Sequence, residues 1–317
     1  MLYPISVSTS DPAANLFGYI NSQGETVIPP VYMGCSHFSE GVGAVLDREG
    51  RSGFVDVRGA LAIPFLFSGL ASFHNGLCAI GGGYINHDGD WEIEPRFLVA
   101  SGFSEGLAFV SKDGETFGFI DQTGNFVIAP KFRPCRSFSE GLAAVCLEER
   151  WGYVDKKGNL KIPAVFDGKR ATRFRLGLAG VQLDGGWGFV DRNGIFVVKP
   201  EFEDLRPFDG GRARVKRDGK WGLIDAEGRI RVECKFEELG RLDGGIAPAK
   251  ADGRAGFISD EGHWCIEPKF DYSYEFCGDL AVVRQGRTFS YIRRDGLFVW
   301  TSAPGARIQY PPPPLFV

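Results

Sequence analysis

The sequence has 317 residues, of which 44% are hydrophobic and 24% charged, so it has enough apolar surface for a core and is not a wholly disordered chain. Glycine, at 44 residues, is about twice as frequent as the usual ~7%, which indicates many turns. The net charge of −4 divides into −8 over residues 1–150 and +4 over residues 151–317, an asymmetry too mild to indicate nucleic acid by itself.

The cysteines and the apolar stretches bear on where the protein works. The seven cysteines include no CxxC pair and are far too sparse for a disulfide scaffold, so we expect reduced thiols. No stretch reaches the roughly 20 apolar residues that a membrane-spanning helix requires, and the N-terminal segment has neither a basic start nor a long apolar run. We therefore expect a cytoplasmic protein with no membrane contact.

One pattern recurs from residue 17 onward: an aromatic residue, Gly, an aromatic or aliphatic residue, Val or Ile, then Asp or Asn, with another Gly three residues later. The average spacing is 34 residues, which indicates a single repeat array rather than the two domains that the length suggests. The leading positions are Gly18, Gly53, Gly83, Gly118, Gly152, Gly188, Gly222 and Gly256, with Ser290 in a ninth, truncated copy. We divide the chain into a lead-in (1–16), one repeat domain (17–300) and a Pro-rich tail (301–317).

Each copy reads as three short strands in chain order. The aromatic-Gly block is the first strand, and the Asp-x-x-Gly that ends it is a hairpin turn, because Asp bonds its own downstream amides and Gly takes positive φ. The return strand carries an aliphatic-x-Pro-x-aromatic run, whose proline should mark a strand end. A third block reads Phe-Ser-Glu-Gly-Leu-Ala-x-Val, as at residues 103–110 and 138–145.

Together these blocks resemble the WG-repeat family, also called KWG repeats, over residues 17 to about 300. Tryptophan stands before the glycine in three copies, at Trp151, Trp187 and Trp221. The resemblance implies a mainly bacterial, repeat-built scaffold for interaction or ligand sensing, with no established common activity.

The predicted fold is all-β, with about eight full three-stranded repeats and a truncated ninth that bury their aromatic residues against their neighbours. A propeller blade normally has four strands and about 40 to 45 residues, so 34 residues are short for one. We therefore favour an open, curved or twisted solenoid over a closed propeller-like ring.

No catalytic, metal or cofactor site is predicted, and we expect a protein that is not an enzyme. The aspartates that end the first strand recur at a fixed phase, which is typical of turn formers and not of a catalytic pair. Histidines lack the spacing of a zinc site, and Cys35 and Cys135 share one repeat phase that suits a small buried hydrophobe. The turn aspartates are Asp121, Asp155, Asp191 and Asp225, and the histidines are His37, His74, His87 and His263.

The clearest departure from the repeat is a basic cluster in the sixth copy and its junction with the seventh. Arg212 stands where other copies have leucine, and Arg214 and Lys216 follow at two-residue spacing, on one strand face. Basic groups near aromatics can receive a phosphate, a carboxylate or single-stranded nucleic acid, although a solvated strand face explains them as well. The candidate binding residues are Arg212, Arg214, Lys216, Arg217, Lys220, Trp187 and Trp221.

The leading functional hypothesis is a non-enzymatic scaffold that binds a protein, or a ligand, through an extended surface. The alternative is recognition of an anionic small molecule or nucleic acid at the basic cluster near residues 206–220, with nucleic acid the weaker choice. The tail, with Pro311–Pro314, predicts polyproline II that docks on the repeats, stays free or binds a groove on another protein.

Overall fold

The computed structural model describes residues 1–8 and 15–304, and the Pro-rich run at 311–314 lies outside these ranges. Within them the chain forms 33 strands in nine antiparallel sheets of three or four strands, numbered here in chain order. Within each sheet, neighbouring strands are also neighbours in sequence, as expected when tight Gly and Asp turns join them. No helix in the described residues is long and apolar enough to cross a membrane.

The strand bounds are as follows. Sheets 1 to 3 consist of β1 (Tyr3–Ser8), β2 (Asn15–Ile20) and β3 (Thr26–Tyr32); β4 (Gly34–Cys35), β5 (Val42–Leu46), β6 (Arg51–Asp56) and β7 (Leu61–Ser68); and β8 (Phe73–His74), β9 (Leu77–Ile80), β10 (Gly83–Ile85) and β11 (Trp91–Ile93). Sheets 4 to 6 consist of β12 (Val99–Ala100), β13 (Ala108–Ser111), β14 (Phe117–Ile120) and β15 (Phe126–Phe132); β16 (Leu142–Leu147), β17 (Arg150–Asp155) and β18 (Leu160–Phe166); and β19 (Ala179–Leu183), β20 (Gly186–Val190) and β21 (Phe196–Phe202). Sheets 7 to 9 consist of β22 (Asp204–Leu205), β23 (Ala213–Arg217), β24 (Lys220–Ile224) and β25 (Ile230–Phe236); β26 (Glu238–Leu239), β27 (Ile246–Ala251), β28 (Arg254–Ser259) and β29 (Trp264–Phe270); and β30 (Tyr272–Ser273), β31 (Leu280–Gln285), β32 (Thr288–Arg293) and β33 (Phe298–Thr301).

The core is divided into clusters that each join one sheet to the next. The repeat phase predicts equivalent burial for Tyr153, Phe189 and Leu223, and all three are fully buried, which confirms the period as structural. Their rings and side chains pack against the following sheet, as Tyr153 does on Phe174 of sheet 6, with ring centroids 4.9 Å apart. Stability therefore comes mainly from contacts between neighbouring sheets.

The sheets close into a ring, and the open solenoid that we favoured from the sequence is wrong. The described residues contain nine intersheet clusters for nine sheets, whereas an open array of nine would have eight. The ninth cluster joins sheet 9 to sheet 1, where Tyr3 and Ile5 pack with Leu280 and Tyr291. The molecule is a nine-bladed β-propeller, and each sheet is one blade.

A repeat of 34 residues can make a four-stranded blade because the innermost strand is very short. It has only two residues in blades 2, 3, 4, 7, 8 and 9, and single bridges replace it in blades 5 and 6. Blade 1 is completed differently: part of the predicted lead-in forms β1, which pairs with β2 from Tyr3 to Ser8. The predicted count of three strands thus left out the inner strand.

Most prolines of the second block do not end strands, which corrects a further expectation, although Pro95 lies just beyond the end of β11. Pro130 lies inside β15 and Pro200 inside β21, each within the outermost strand of its blade. The ladder shifts register at this point, between the partners of Phe117 and Phe119 and between those of Trp187 and Phe189. A proline is tolerated there because an edge strand with a bulge does not require every amide as a donor.

Candidate ligand site in the central channel

The inner ends of the blades enclose a channel with a cavity of about 1270 Å³. Its wall is formed by the short inner strands and the segments that follow them, from seven of the nine blades. Residues that are distant in sequence, such as Ser72 of blade 3 and Arg241 of blade 8, therefore line one space.

One repeat position contributes most of this lining, and we call it the channel ring. It is the residue just before the apolar side chain, usually a buried phenylalanine, that opens the third sequence block. All its members except Pro207 line the cavity. The channel ring consists of His37, Ser72, Gly102, Ser137, Arg173, Pro207, Arg241 and Glu275.

The channel ring is uncharged on one side and charged on the other. Blades 2 to 5 contribute His37 and three small residues, and burial lowers the pKa of His37, which favours its neutral form. The charged members belong to blades 6, 8 and 9, so the electrostatic character of the channel comes from one sector.

Two of the three charged members, Arg241 and Glu275, have polar partners close by. Arg241 lies 3.1 Å from the Asp209 carboxylate, and its backbone amide donates to Glu275 Oε1 at 2.9 Å. Lys250, which also lines the cavity, pairs with Glu238 at 3.3 Å.

Arg173 differs from these groups. Within the described ranges its guanidinium has neither an ion pair nor a hydrogen bond. Burial lowers the pKa of Arg173, and the positive charges of Arg175 and Arg136 lower it further. The channel wall therefore carries a desolvated positive charge that no carboxylate of the described chain offsets.

The basic cluster predicted from the sequence is distributed among contacts within and between blades. Arg212 pairs with Asp260 of blade 8 at 3.1 Å, and Arg214 donates from Nη1 to the Leu239 carbonyl of blade 8 at 3.0 Å. Burial lowers the pKa of Arg214 to about 10, although the Glu275 charge acts in the opposite direction.

The outer members of the cluster are also paired. Arg217 binds Glu201 at 2.7 Å, and Lys220 lies 3.8 Å from Glu237. Lys216 lies over the ring of Trp221, with Nζ 5.9 Å from its centroid.

The two predicted tryptophans are covered by arginines rather than left open for a ligand. Trp187 is buried beneath Arg170, and Trp221 is half-buried beneath Arg206, with guanidinium-to-centroid distances of 4.5 and 5.0 Å. The structure thus does not gather the predicted residues on one open face, and anion recognition by this cluster stays a prediction.

Sequence reasoning missed the channel ring, although a signal was present. The repeat keeps a large apolar residue at the next position, yet the ring position itself varies between His, Ser, Gly, Arg, Pro and Glu. Such variation next to a fixed core position indicates a side chain that faces open space. In the part of the chain that the structure describes, no group of three or more His, Cys, Asp and Glu side chains could hold a metal ion.

Comparison with known proteins gives a family and a fold. The family model of the WG-containing repeat matches residues 17–48, 83–115, 117–151, 151–187, 187–221, 221–254 and 256–288, well over half of the chain. No curated protein matches.

Among solved structures, the chain is similar to one described as the crystal structure of the eukaryotic initiation factor. The TM-score is 0.67 with 10% identity over 96% of both chains, which shows a shared fold alone. BamB from Moraxella catarrhalis (TM-score 0.47, 14% identity, 82% of this chain and 94% of that one) and the computationally designed Ika8 protein (0.45, 13%, 84% and 85%) are more distant.

Proposed function

We propose that this chain, which belongs to the WG-repeat family, is a non-enzymatic scaffold that binds a ligand in its central channel. A scaffold role agrees with the repeat architecture, in which the same turn and core residues recur in blade after blade. The extended concave surface of an open array is replaced by a channel.

The convergence of seven blades on one cavity is the observation that supports this proposal. Ligand sites are usually concave, of roughly 300–1,000 Å³, and combine apolar walls with a few polar groups. This cavity is somewhat larger, and it combines rings such as Phe103 and Tyr274 with Ser72 and Arg173. Its position at the axis keeps these groups fixed, because each stands on a segment anchored by the core of its blade.

A channel-filling variant tests the proposal. Ser72→Trp places a large ring in the cavity at a position whose serine is half-buried, and the exposed Ser68 at the end of β7 gives the matched control Ser68→Trp. The protein is dialysed against the small-molecule fraction of its host cells, and bound compounds are identified by mass spectrometry. We expect enrichment of a compound by the wild type and Ser68→Trp but not by Ser72→Trp. No enrichment, or equal enrichment by Ser72→Trp, would refute the proposal.

A protein partner on the outer rim is the second candidate, supported by exposed aliphatic side chains on the outer strands. Val31 and Leu66 occupy the same position in blades 1 and 2 and are 55% and 70% exposed. Contiguous exposed apolar patches mark surfaces at which proteins bind one another. Crosslinking in host cells should give an adduct that Leu66→Asp removes and Ser72→Trp leaves intact, whereas an adduct unchanged by Leu66→Asp would exclude this surface.

A further inference from the structure

We infer that the channel ligand is a phosphorylated small molecule whose phosphate binds at Arg173, an assignment that rests on the proposed function of the channel. It specifies the chemical class of the ligand and the residue that selects it.

Most cations of the wall already have counter-charges. Arg241 has Asp209 at 3.1 Å, and Lys250 has Glu238 at 3.3 Å and also lies over the Tyr272 ring. Among the cavity-lining residues that the structure describes, Arg173 is the one Lys or Arg side chain without a carboxylate partner. The uncompensated positive charge of the wall is therefore localised at Arg173, and an anion is attracted there.

Two further arginines lie near Arg173, and their positive charges lower its pKa. Arg175 lies two residues along the chain and Arg136 on the adjacent blade 5, and both are close enough to act on the Arg173 guanidinium. Arginines held near one another in partial burial repel, and a bound anion relieves that repulsion. Ser137, the channel-ring residue of the adjacent blade 5, lines the same cavity, and its hydroxyl can donate a hydrogen bond to an anion there.

Phosphate fits the surroundings of Arg173 better than a carboxylate does. A phosphate monoester carries about −1.5 to −2 charges near neutral pH and three acceptor oxygens, and so matches several positive groups at once. The planar guanidinium of Arg173 binds two of these oxygens in a fork, which an ammonium group cannot do.

The size of the cavity indicates that the phosphate is attached to an organic body. At about 1270 Å³ the space far exceeds a single phosphate ion. The wall across from Arg173, in blades 2 and 3, is uncharged, with Ser72 and the half-buried ring of Phe38. Small polar residues and an aromatic ring suit a sugar or nucleoside, which presents hydroxyls and apolar faces together.

Calorimetric titration of the full chain tests this inference. The probes are glucose 6-phosphate, AMP, inorganic phosphate and citrate, and the proteins are the wild type, Arg173→Gln, Arg173→Lys and Arg231→Gln. Arg231 is an exposed arginine on the outer strand β25, so its variant controls for the loss of one positive charge.

We expect the wild type to bind at least one of the two organic phosphates more tightly than inorganic phosphate or citrate. Arg173→Gln should weaken that binding at least tenfold, Arg173→Lys by less, and Arg231→Gln by less than twofold. Substitution of the half-buried Arg173 or the exposed Arg231 by Gln should cost little stability. Unchanged melting curves would therefore exclude misfolding as the cause of weaker binding.

Three results would overturn the inference: no binding of either organic phosphate by the wild type, preference for citrate, or equal binding by Arg173→Gln. If these occur while the dialysis experiment still finds a compound that Ser72→Trp loses, the ligand class is wrong and the channel function stands. If both experiments fail, the channel is not the binding site.

Discussion

The glycine of the aromatic-Gly pair is required by the close approach of the next strand, not by an unusual backbone angle. A Cβ atom on Gly188 would lie 2.4 Å from the carbonyl oxygen of Val198, and one on Gly18 would lie 2.4 Å from that of Ile28. The register shift of the outer strand brings its backbone over the glycine at each place. In blade 9, Ser290 pairs directly with Thr301 and the shift comes later, so a side chain fits.

Replacing Gly188 with Ala should therefore lower the free energy of unfolding by about 1–3 kcal/mol, the usual cost of overpacking, because backbone must move. Gly185 is the control. It lies in the two-residue turn before β20 at φ +83°, with nothing within 4 Å of a Cβ, so Gly185→Asn should cost less than about 0.5 kcal/mol. Urea denaturation measures both, and equal losses would contradict this explanation of the motif.

The aspartate that ends the first strand is a turn former, as its recurrence predicts. Asp191 accepts hydrogen bonds at Oδ1 from the amides of Asn193 and Ile195, at 2.8 and 2.9 Å. Asn21 makes the same pair of bonds in blade 1, which explains why Asn substitutes for Asp.

Asp191→Ala should destabilise the protein by about 1 kcal/mol and Asp191→Asn by less, because only alanine removes the acceptor.

The hydrogen bond from the Ile195 amide lowers the pKa of Asp191 more than partial burial raises it. A carboxyl with a depressed folded pKa stabilises above its unfolded pKa of ~3.9, and this contribution is lost as pH falls through the folded pKa. The part of the Ala penalty that depends on charge should therefore shrink below about pH 4. Denaturation curves that show a larger Asp191→Ala penalty at pH 3 than at pH 7 would refute this.

At the scale of the element, β23 links blade 7 to blade 8. Its side chains alternate, with Ala213 and Val215 buried in the cluster that joins blades 6 and 7, and Arg214 on the other face. From there Arg214 reaches the Leu239 carbonyl, so the alternation predicted from the sequence is correct, but the face meets a neighbouring blade. In a propeller both faces of a blade are covered, which an isolated strand pattern does not reveal.

Arg214→Ala should therefore destabilise the protein by about 1–2 kcal/mol, because the Leu239 carbonyl loses a charged donor. Lys216→Ala, two residues away on the same face, should cost less than about 0.5 kcal/mol, since its ammonium lies at the half-exposed edge over Trp221. Thermal denaturation of the two variants is the measurement. A larger loss of stability for Lys216→Ala than for Arg214→Ala would contradict this, because it would place the main contact between the blades at the half-exposed end of β23.

At the scale of the whole molecule, the ring is joined by packing between blades 9 and 1, with each of these two blades formed from its own end of the chain. Hydrogen bonds across this seam include one from Tyr291 Oη to the Pro4 carbonyl at 2.7 Å and one from the Asp279 amide to Tyr3 Oη at 3.0 Å. No strand of blade 1 pairs with one of blade 9 in the described residues. The seam thus depends on buried apolar side chains.

Ile5→Asp places a charge in that seam, where Ile5 is 2% exposed, and should open it. We expect faster hydrogen exchange in blades 1 and 9 than in blade 5, because interface energies in a repeat array act mainly between neighbours. Val7→Asp on the same strand, at a position 40% exposed, should change exchange little. Unchanged exchange in blade 9 of Ile5→Asp would show that β1 does not hold the ring closed.

The local features of this protein were determined by the sequence, because each depends on a few neighbouring residues. The 34-residue period, the Asp-x-x-Gly hairpins, the buried aromatics such as Phe189 and the family membership all follow from short patterns. The sequence did not predict two-residue inner strands such as β22, since an alternating pattern needs more residues to be recognised.

Ring closure and the candidate site were decided only by the tertiary structure. Closure depends on the rotation between successive blades, which accumulates around the ring until Tyr3 contacts Tyr291. These two residues are 288 positions apart, so no local motif predicts their contact. The same closure brings Ser72, Arg173 and Arg241 around one channel and decides which arginines find a carboxylate. Because those distances are set by the sum of all the blade interfaces, the isolated charge of Arg173 could not be read from its own repeat.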